Sequence, residues 1–292
     1  MIDIREKLNG FRKRLIEKPL SAFWTIFFIL ILILIILPLI NNLSTLISTD
    51  LLYLILKFII LNVIFGFFAF YFIPFILHLP DGKQTIQEYL KTLKLTKNHL
   101  SLKIIFLGLV LGFSVLIGLF ITGIILGEPF LLKLDFNQVI GSPNIMNLSW
   151  FHFIYHIVPA LWEEIFFRGL ILTILLKVYS VRNAIILDGL LFGLFHSINE
   201  ASLIVVGQVI YNIFSGITLA YVYVKTSNLI PCIIAHYINN ILSALVFASY
   251  EVNILLFLYQ AGLNSLIVLL LRFGILKLYE KLGMNTAGNK II

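Results

Sequence analysis

Eight runs of apolar residues, each near or above the length needed to cross a bilayer, constrain this chain more than any other feature. They cover residues 22–40, 51–77, 104–126, 150–177, 184–198, 203–224, 229–248 and 254–276, the fifth being short. A helix needs about 20 mostly apolar residues to traverse the hydrocarbon core, where no water satisfies backbone N–H and C=O groups. Only 12% of the 292 residues are charged and 60% are hydrophobic, with a mean hydropathy of +1.04; a soluble domain carries roughly 25% charge. The pattern excludes a soluble fold. It predicts an all-α polytopic membrane bundle of about eight transmembrane helices: a basic tail at 1–20, a single transmembrane domain at 21–280, and a short tail at 281–292.

The first run follows six basic residues, as a secretory signal would. It exceeds the roughly 7–15 apolar residues of a signal core and ends in Leu37-Pro38-Leu39-Ile40-Asn41-Asn42, without a small-residue cleavage pattern. It reads as a retained span. Polar breaks at Leu79-Pro80-Asp81-Gly82, Gly127-Glu128-Pro129 and Thr226-Ser227-Asn228 mark chain reversals.

The net charge of +7 implies no nucleic-acid partner, because the basic residues sit between apolar runs, where they act as topology signals. With the N-terminal tail inside, alternate segments hold the tail's six, then Lys83, Lys91, Lys94, Lys97 and Lys103, then Lys177 with Arg182, Lys225, and finally Arg272, Lys277, Lys281 and Lys290. The opposite side receives Lys133 alone, while Lys57 and Arg168 fall within spans. This segregation places the protein in the cell membrane with both termini cytoplasmic. The 78–103 segment, with Ile86, Tyr89, Leu90, Leu93 and Leu95 among lysines, reads either as an interfacial amphipathic helix or as a solvated loop. The single cysteine, Cys232, permits neither an intramolecular disulfide nor a cysteine-based metal site.

Charged residues at a span centre cost roughly 2.5–3.5 kcal/mol on insertion scales and mark functional sites. The richest cluster is Trp162-Glu163-Glu164-Ile165-Phe166-Phe167-Arg168. Glu164 and Arg168 lie one helical turn apart on one face, where the cation neutralises the anion. Glu163 is left without that cation, which makes it a candidate proton acceptor or donor unless another cation or a metal stabilises its charge. The fifth run contains Phe192-Gly193-Leu194-Phe195-His196 and the seventh His236-Tyr237-Ile238-Asn239-Asn240. Gly189 and Gly193, at small-xxx-small spacing, would let another helix approach the histidine-bearing span. Together the three runs supply a carboxylate base, two imidazoles and donors for an oxyanion.

These residues resemble the CAAX-processing endopeptidase and bacteriocin-processing family of intramembrane proteases, which includes the type II CAAX prenyl endopeptidases. The likeness rests on E-E-x-x-x-R at Glu163–Arg168, F-x-x-x-H at Phe192–His196 and H-x-x-x-N at His236–Asn240, in the family's order, within a block at 150–248. The resemblance implies hydrolysis of a peptide bond in a membrane-associated or lipidated substrate. Glu163 would activate water and His196 would help position or deprotonate it. His236 and Asn240 would bind the oxyanion, and Glu164 with Arg168 would hold the helix and tune the acid; Glu163 and Glu164 could exchange roles.

Two metal arrangements are open on these residues. Glu163, His196 and His236 could supply three ligands to zinc with an open fourth position, as a catalytic zinc site requires. His152, His156 and Glu163 would instead form a stripe along one helix, better read as interfacial histidines. Asp188, Gln208, Asn212, Asn239, Gln260 and Asn264 are expected to bond between helices or line a cavity. Two other functions compete with proteolysis: a proton- or ion-coupled transporter using the same charges as a relay, and a non-catalytic immunity or scaffold protein. A further difficulty is depth, since His196 falls near the outer end of a short span and Glu163 near mid-membrane.

Overall fold

The structure, a computed structural model, describes residues 86–127, 149–196, 203–247 and 254–282, with isolated positions between 17 and 31. The predicted span 51–77, most of 22–40 and most of both tails lie outside the described residues. Everything regular within them is helical. A short α1 (Ile86–Thr92) precedes α2 (Leu102–Leu126), then α3 (Ser149–Glu164), a π-helical segment (Ile165–Leu172) and α4 (Thr173–Val178). They are followed by α5 (Val181–His196), α6 (Leu203–Thr226), α7 (Ile230–Phe247) and α8 (Ile254–Lys281). Glu164 and Thr173, at the two ends of the π segment, keep right-handed helical dihedrals. Thus α3, the π segment and α4 form one rod, and six rods occupy the last six predicted spans. Leu102–Leu126 and Ala261–Lys281 are long and apolar enough to cross a membrane.

The rods alternate in direction. Gly108 and Gly112 bring α2 against Ile234 and Ile238 of α7, increasing together along both chains, so these two helices run parallel. Gly118 faces Val268 and Asn264, while Leu111 and Ser114 reach Arg272, which makes α2 and α8 antiparallel. Between α5 and α6, a Cβ on Gly189 would lie 2.7 Å from the backbone nitrogen of Ile217, and one on Gly216 only 2.8 Å from the Gly189 Cα. Only glycine permits that approach, as the Gly189/Gly193 spacing predicts. The starts of α2, α5 and α7 and the ends of α4, α6 and α8 therefore share one end of the bundle. Lys97, Lys103, Lys177, Arg182, Lys225, Lys277 and Lys281 are exposed there.

Segment 86–100 is neither wholly loop nor a free interfacial helix. Its α1 ends with Leu95 N donating to Leu90 O and Lys94 N to Lys91 O, Lys94 taking a left-handed φ of 55°. Leu93 is buried, its carbonyl accepts from Leu229 N, and Asn228 Nδ2 donates to His99 O. The segment is thereby docked on the α6–α7 turn. Phe106, Phe113, Phe120 and Ile124 of α2 point outward and exposed, as an apolar solvent allows. One expectation is corrected: Arg272, grouped with the basic residues of the inner rim, is fully buried within the bundle.

Candidate active site

The charged cluster of the sequence sits where α3 passes into the π segment. A π segment adds a residue to the turn and misaligns the backbone ladder; here Thr173 Oγ1 returns to Gly169 O at 2.9 Å. Glu163, Glu164 and Arg168 are all buried at this junction. Arg168 Nη1 donates to Glu164 Oε1 at 2.9 Å, the pairing expected from their spacing. Its Nη2 donates to Gly216 O at 3.1 Å, and its Nε lies 3.5 Å from Asp188 Oδ2. A fully buried guanidinium thus stands between two carboxylates.

Helix α7 brings His236 against both glutamates. Its Nδ1 is 2.7 Å from Glu164 Oε1, and its Nε2 is 3.7 Å from Glu163 Oε2. Helix α5 brings His196, whose Nε2 is 3.4 Å from the same Glu163 oxygen and whose Nδ1 bonds Phe192 O at 2.8 Å. The expected depth mismatch is absent: His196, in the last turn of α5, lies level with Glu163, with its Nε2 3.4 Å from Oε2. His196 keeps 27% of its side-chain exposure, against 9% for Glu163 and 4% for His236. Access to the cluster therefore lies on the His196 side.

Hydrogen accounting sharpens the geometry. A carbonyl oxygen can only accept, so His196 Nδ1 carries the hydrogen it shares with Phe192 O. Glu164 Oε1 already accepts from Arg168 and acts likewise toward His236 Nδ1. In neutral imidazoles both Nε2 atoms are then acceptors, and both face Glu163 Oε2, a buried acceptor with no hydrogen-bond partner. With both imidazoles neutral, three acceptors converge there without a donor; a proton on His196 Nε2 makes it a donor to Glu163 Oε2 instead.

Phe192 explains the aromatic position of its motif. Its ring stacks on the Arg168 guanidinium at 4.5 Å and packs against His196 at 4.6 Å and His236 at 5.5 Å. Asp188, Phe192 and His196 recur every four residues along one face of α5, a ladder visible in the sequence that joins Asp188 to the site. Asp188 is fully buried, and neither of its oxygens has a hydrogen-bond donor. Asn240 is half-buried one turn beyond His236. Asn239 bonds between helices, its Nδ2 donating to Ser215 Oγ at 3.1 Å. Asn264 is buried with an unpartnered Oδ1, and the side chains of His152, Gln208 and Gln260 lie outside the described residues.

Among the described residues, no three His, Cys, Asp or Glu side chains form a group placed to hold a metal ion. Glu163, His196 and His236 do converge, with the two Nε2 atoms 3.4 and 3.7 Å from Glu163 Oε2, and they are the residues that would hold a zinc ion if the water were metal-activated.

Residues 145–242, about a third of the chain, match the family model described as Rce1-like, type II CAAX prenyl endopeptidase Rce1-like. The matched stretch contains every one of the three motifs. No curated protein and no solved structure matches the chain.

Proposed function

We propose, from the chain's membership through residues 145–242 in this Rce1-like protease family, that it is an intramembrane endopeptidase using glutamate-activated water on a membrane-embedded or lipidated peptide. The observation that carries this reading is the convergence of two imidazole Nε2 atoms on the buried Glu163 Oε2. A water there supplies the missing hydrogens and is held for deprotonation.

In this reading Glu163 takes a proton from the water as its oxygen attacks the scissile carbonyl. The water's second hydrogen is accepted by Nε2 of His196 or of His236, which orients it for attack. Glu164 acts through His236: by accepting from Nδ1 it keeps the Nε2 lone pair toward the water, and Arg168 holds the Glu164 carboxylate in place through its Nη1 bond. The negative charge on the carbonyl oxygen is met by the Asn240 amide. As the C–N bond breaks, Glu163 returns its proton to the leaving amine. General acid–base catalysis supplies about 10²–10⁴-fold, and an oxyanion donor about 10²–10³-fold. The exposed basic rim supports a cytoplasmic placement of that end and of both termini.

The test compares the terminal peptides of membranes carrying wild-type protein and Glu163→Gln. A peptide that accumulates uncleaved only in the variant identifies the substrate; identical profiles, with both proteins folded and equally abundant, overturn the reading. Metal analysis of the purified protein should find no stoichiometric zinc, and equimolar zinc with chelator-sensitive cleavage would replace the metal-free version.

A further inference from the structure

The chemistry above uses Arg168 and leaves a second buried guanidinium unexplained. Arg272 of α8 is fully buried, and among the described residues no carboxylate forms an ion pair with it. Neutral acceptors from three other helices surround it. Nε donates to Leu111 O and Ser114 Oγ of α2, both at 3.1 Å. Nη1 donates to Thr218 Oγ1 at 2.9 Å and Ser215 Oγ at 3.4 Å, both on α6, and Nη2 to Asn239 Oδ1 of α7 at 2.8 Å.

These bonds close a circuit that begins and ends on α7. Asn239 is held by Arg272, and both bond Ser215. The next residue of α6, Gly216, accepts from Arg168, which binds Glu164, which binds His236. His236 and Asn239 are three residues apart, so the two arginines grip α7 at adjacent points. On the α2 side of this part of α7, the contacts of Ile234 and Ile238 with Gly108 and Gly112 are apolar and non-directional. A guanidinium fork is directional, its donors fixed in one plane. The bonds of Arg272 therefore contribute orientation.

We propose that Arg272 is a positioning residue for the hydrolytic site: through Asn239 it sets the rotation of α7 that presents His236 to both glutamates and Asn240 to the reacting carbonyl. This rests on the protease reading. The test uses purified full-length protein and a quenched fluorescent version of the peptide that accumulates in Glu163→Gln membranes, with rates normalised to folded protein. Arg272→Lys keeps the charge and loses the fork; Asn239→Ala cuts the link to α7 and leaves the arginine its other acceptors. Each should lower kcat by about 10- to 100-fold with KM within about twofold, and the double variant should be no slower than the worse single. Wild-type kcat in either variant, a loss confined to KM, or independent losses that multiply in the double overturns the inference. Should Arg272→Lys fail to fold, Asn239→Ala decides alone. Glu163→Gln run in parallel separates the two claims: inactive Glu163→Gln beside unaffected Arg272→Lys removes the positioning role only, whereas active Glu163→Gln removes the protease reading and the role with it.

Discussion

Arg168 and Arg272 are both fully buried in the same bundle, yet they are accommodated in opposite ways. Arg168 is flanked by Glu164 and Asp188 and stacked on Phe192. Among the described residues, Arg272 donates to hydroxyls, a carbonyl and an amide. The first is held by opposite charge, so its loss would strand two anions. The second is solvated by dipoles, and each dipole belongs to a neutral group that tolerates the loss. Charge pairing concentrates energy at the chemistry, whereas the dipole cage spreads it over four helices and constrains their rotation.

The largest expected effect follows from that asymmetry. Arg168→Leu leaves Glu164 and Asp188 without a cation and should destabilise the bundle by about 3–5 kcal/mol, read as a lowered midpoint in detergent-based unfolding; a shift below about 1 kcal/mol would mean the pairing is not structural. Next in size is Gly193→Val, which overpacks α5 against α6, where even a Cβ would lie 2.9 Å from the Ile213 nitrogen. It should cost about 1–3 kcal/mol and lower cleavage further by lifting His196 from Glu163. Replacing the neutral-caged pair together, Arg272→Met with Asn239→Leu, should move the midpoint by less than Arg168→Leu does, because the Ser114 and Thr218 hydroxyls keep their bonds to Leu111 O and Ser215 O, while cleavage per folded molecule falls. A fall in stability comparable to that of Arg168→Leu would erase the distinction between the two arginines.

The smallest effect is expected at the rim. Lys225 Nζ lies 2.8 Å from Glu280 Oε1, and that hydrogen bond holds the ammonium above its ordinary range. Both groups are substantially exposed, so Lys225→Ala should cost about 0.2–1 kcal/mol. Because the folded-state value is raised, the contribution is present at neutral pH, below the unfolded-state value, and fades as pH rises through the folded one. Unfolding midpoints measured from neutral to strongly alkaline pH check this; a contribution that grows with alkalinity would contradict the sign.

Much of the site was legible because helical periodicity is local. The i,i+4 spacing of Glu164 and Arg168 implied their pairing, and Gly189 with Gly193 implied the close α5 contact. Asp188 could have been joined to the site from the same four-residue ladder that runs through Phe192 to His196. Arg272 was not legible in this way. Near the end of an apolar run followed by Lys277 and Lys281, it has the same sequence context as a topology-setting cation, and its acceptors lie 33 to 161 residues away.

By itself the sequence determined that the chain is helical, that its apolar runs require a membrane, that basic residues collect at one end, and in what order the three motifs occur. Tertiary structure alone decided that His196 reaches the level of Glu163, that the two glutamates approach opposite nitrogens of His236, and that Arg272 enters the polar circuit. Periodicity assigns a residue to a face of its own helix. The relative depth and rotation of two helices depend on how closely their backbones approach, and the pattern of either helix alone does not contain that distance.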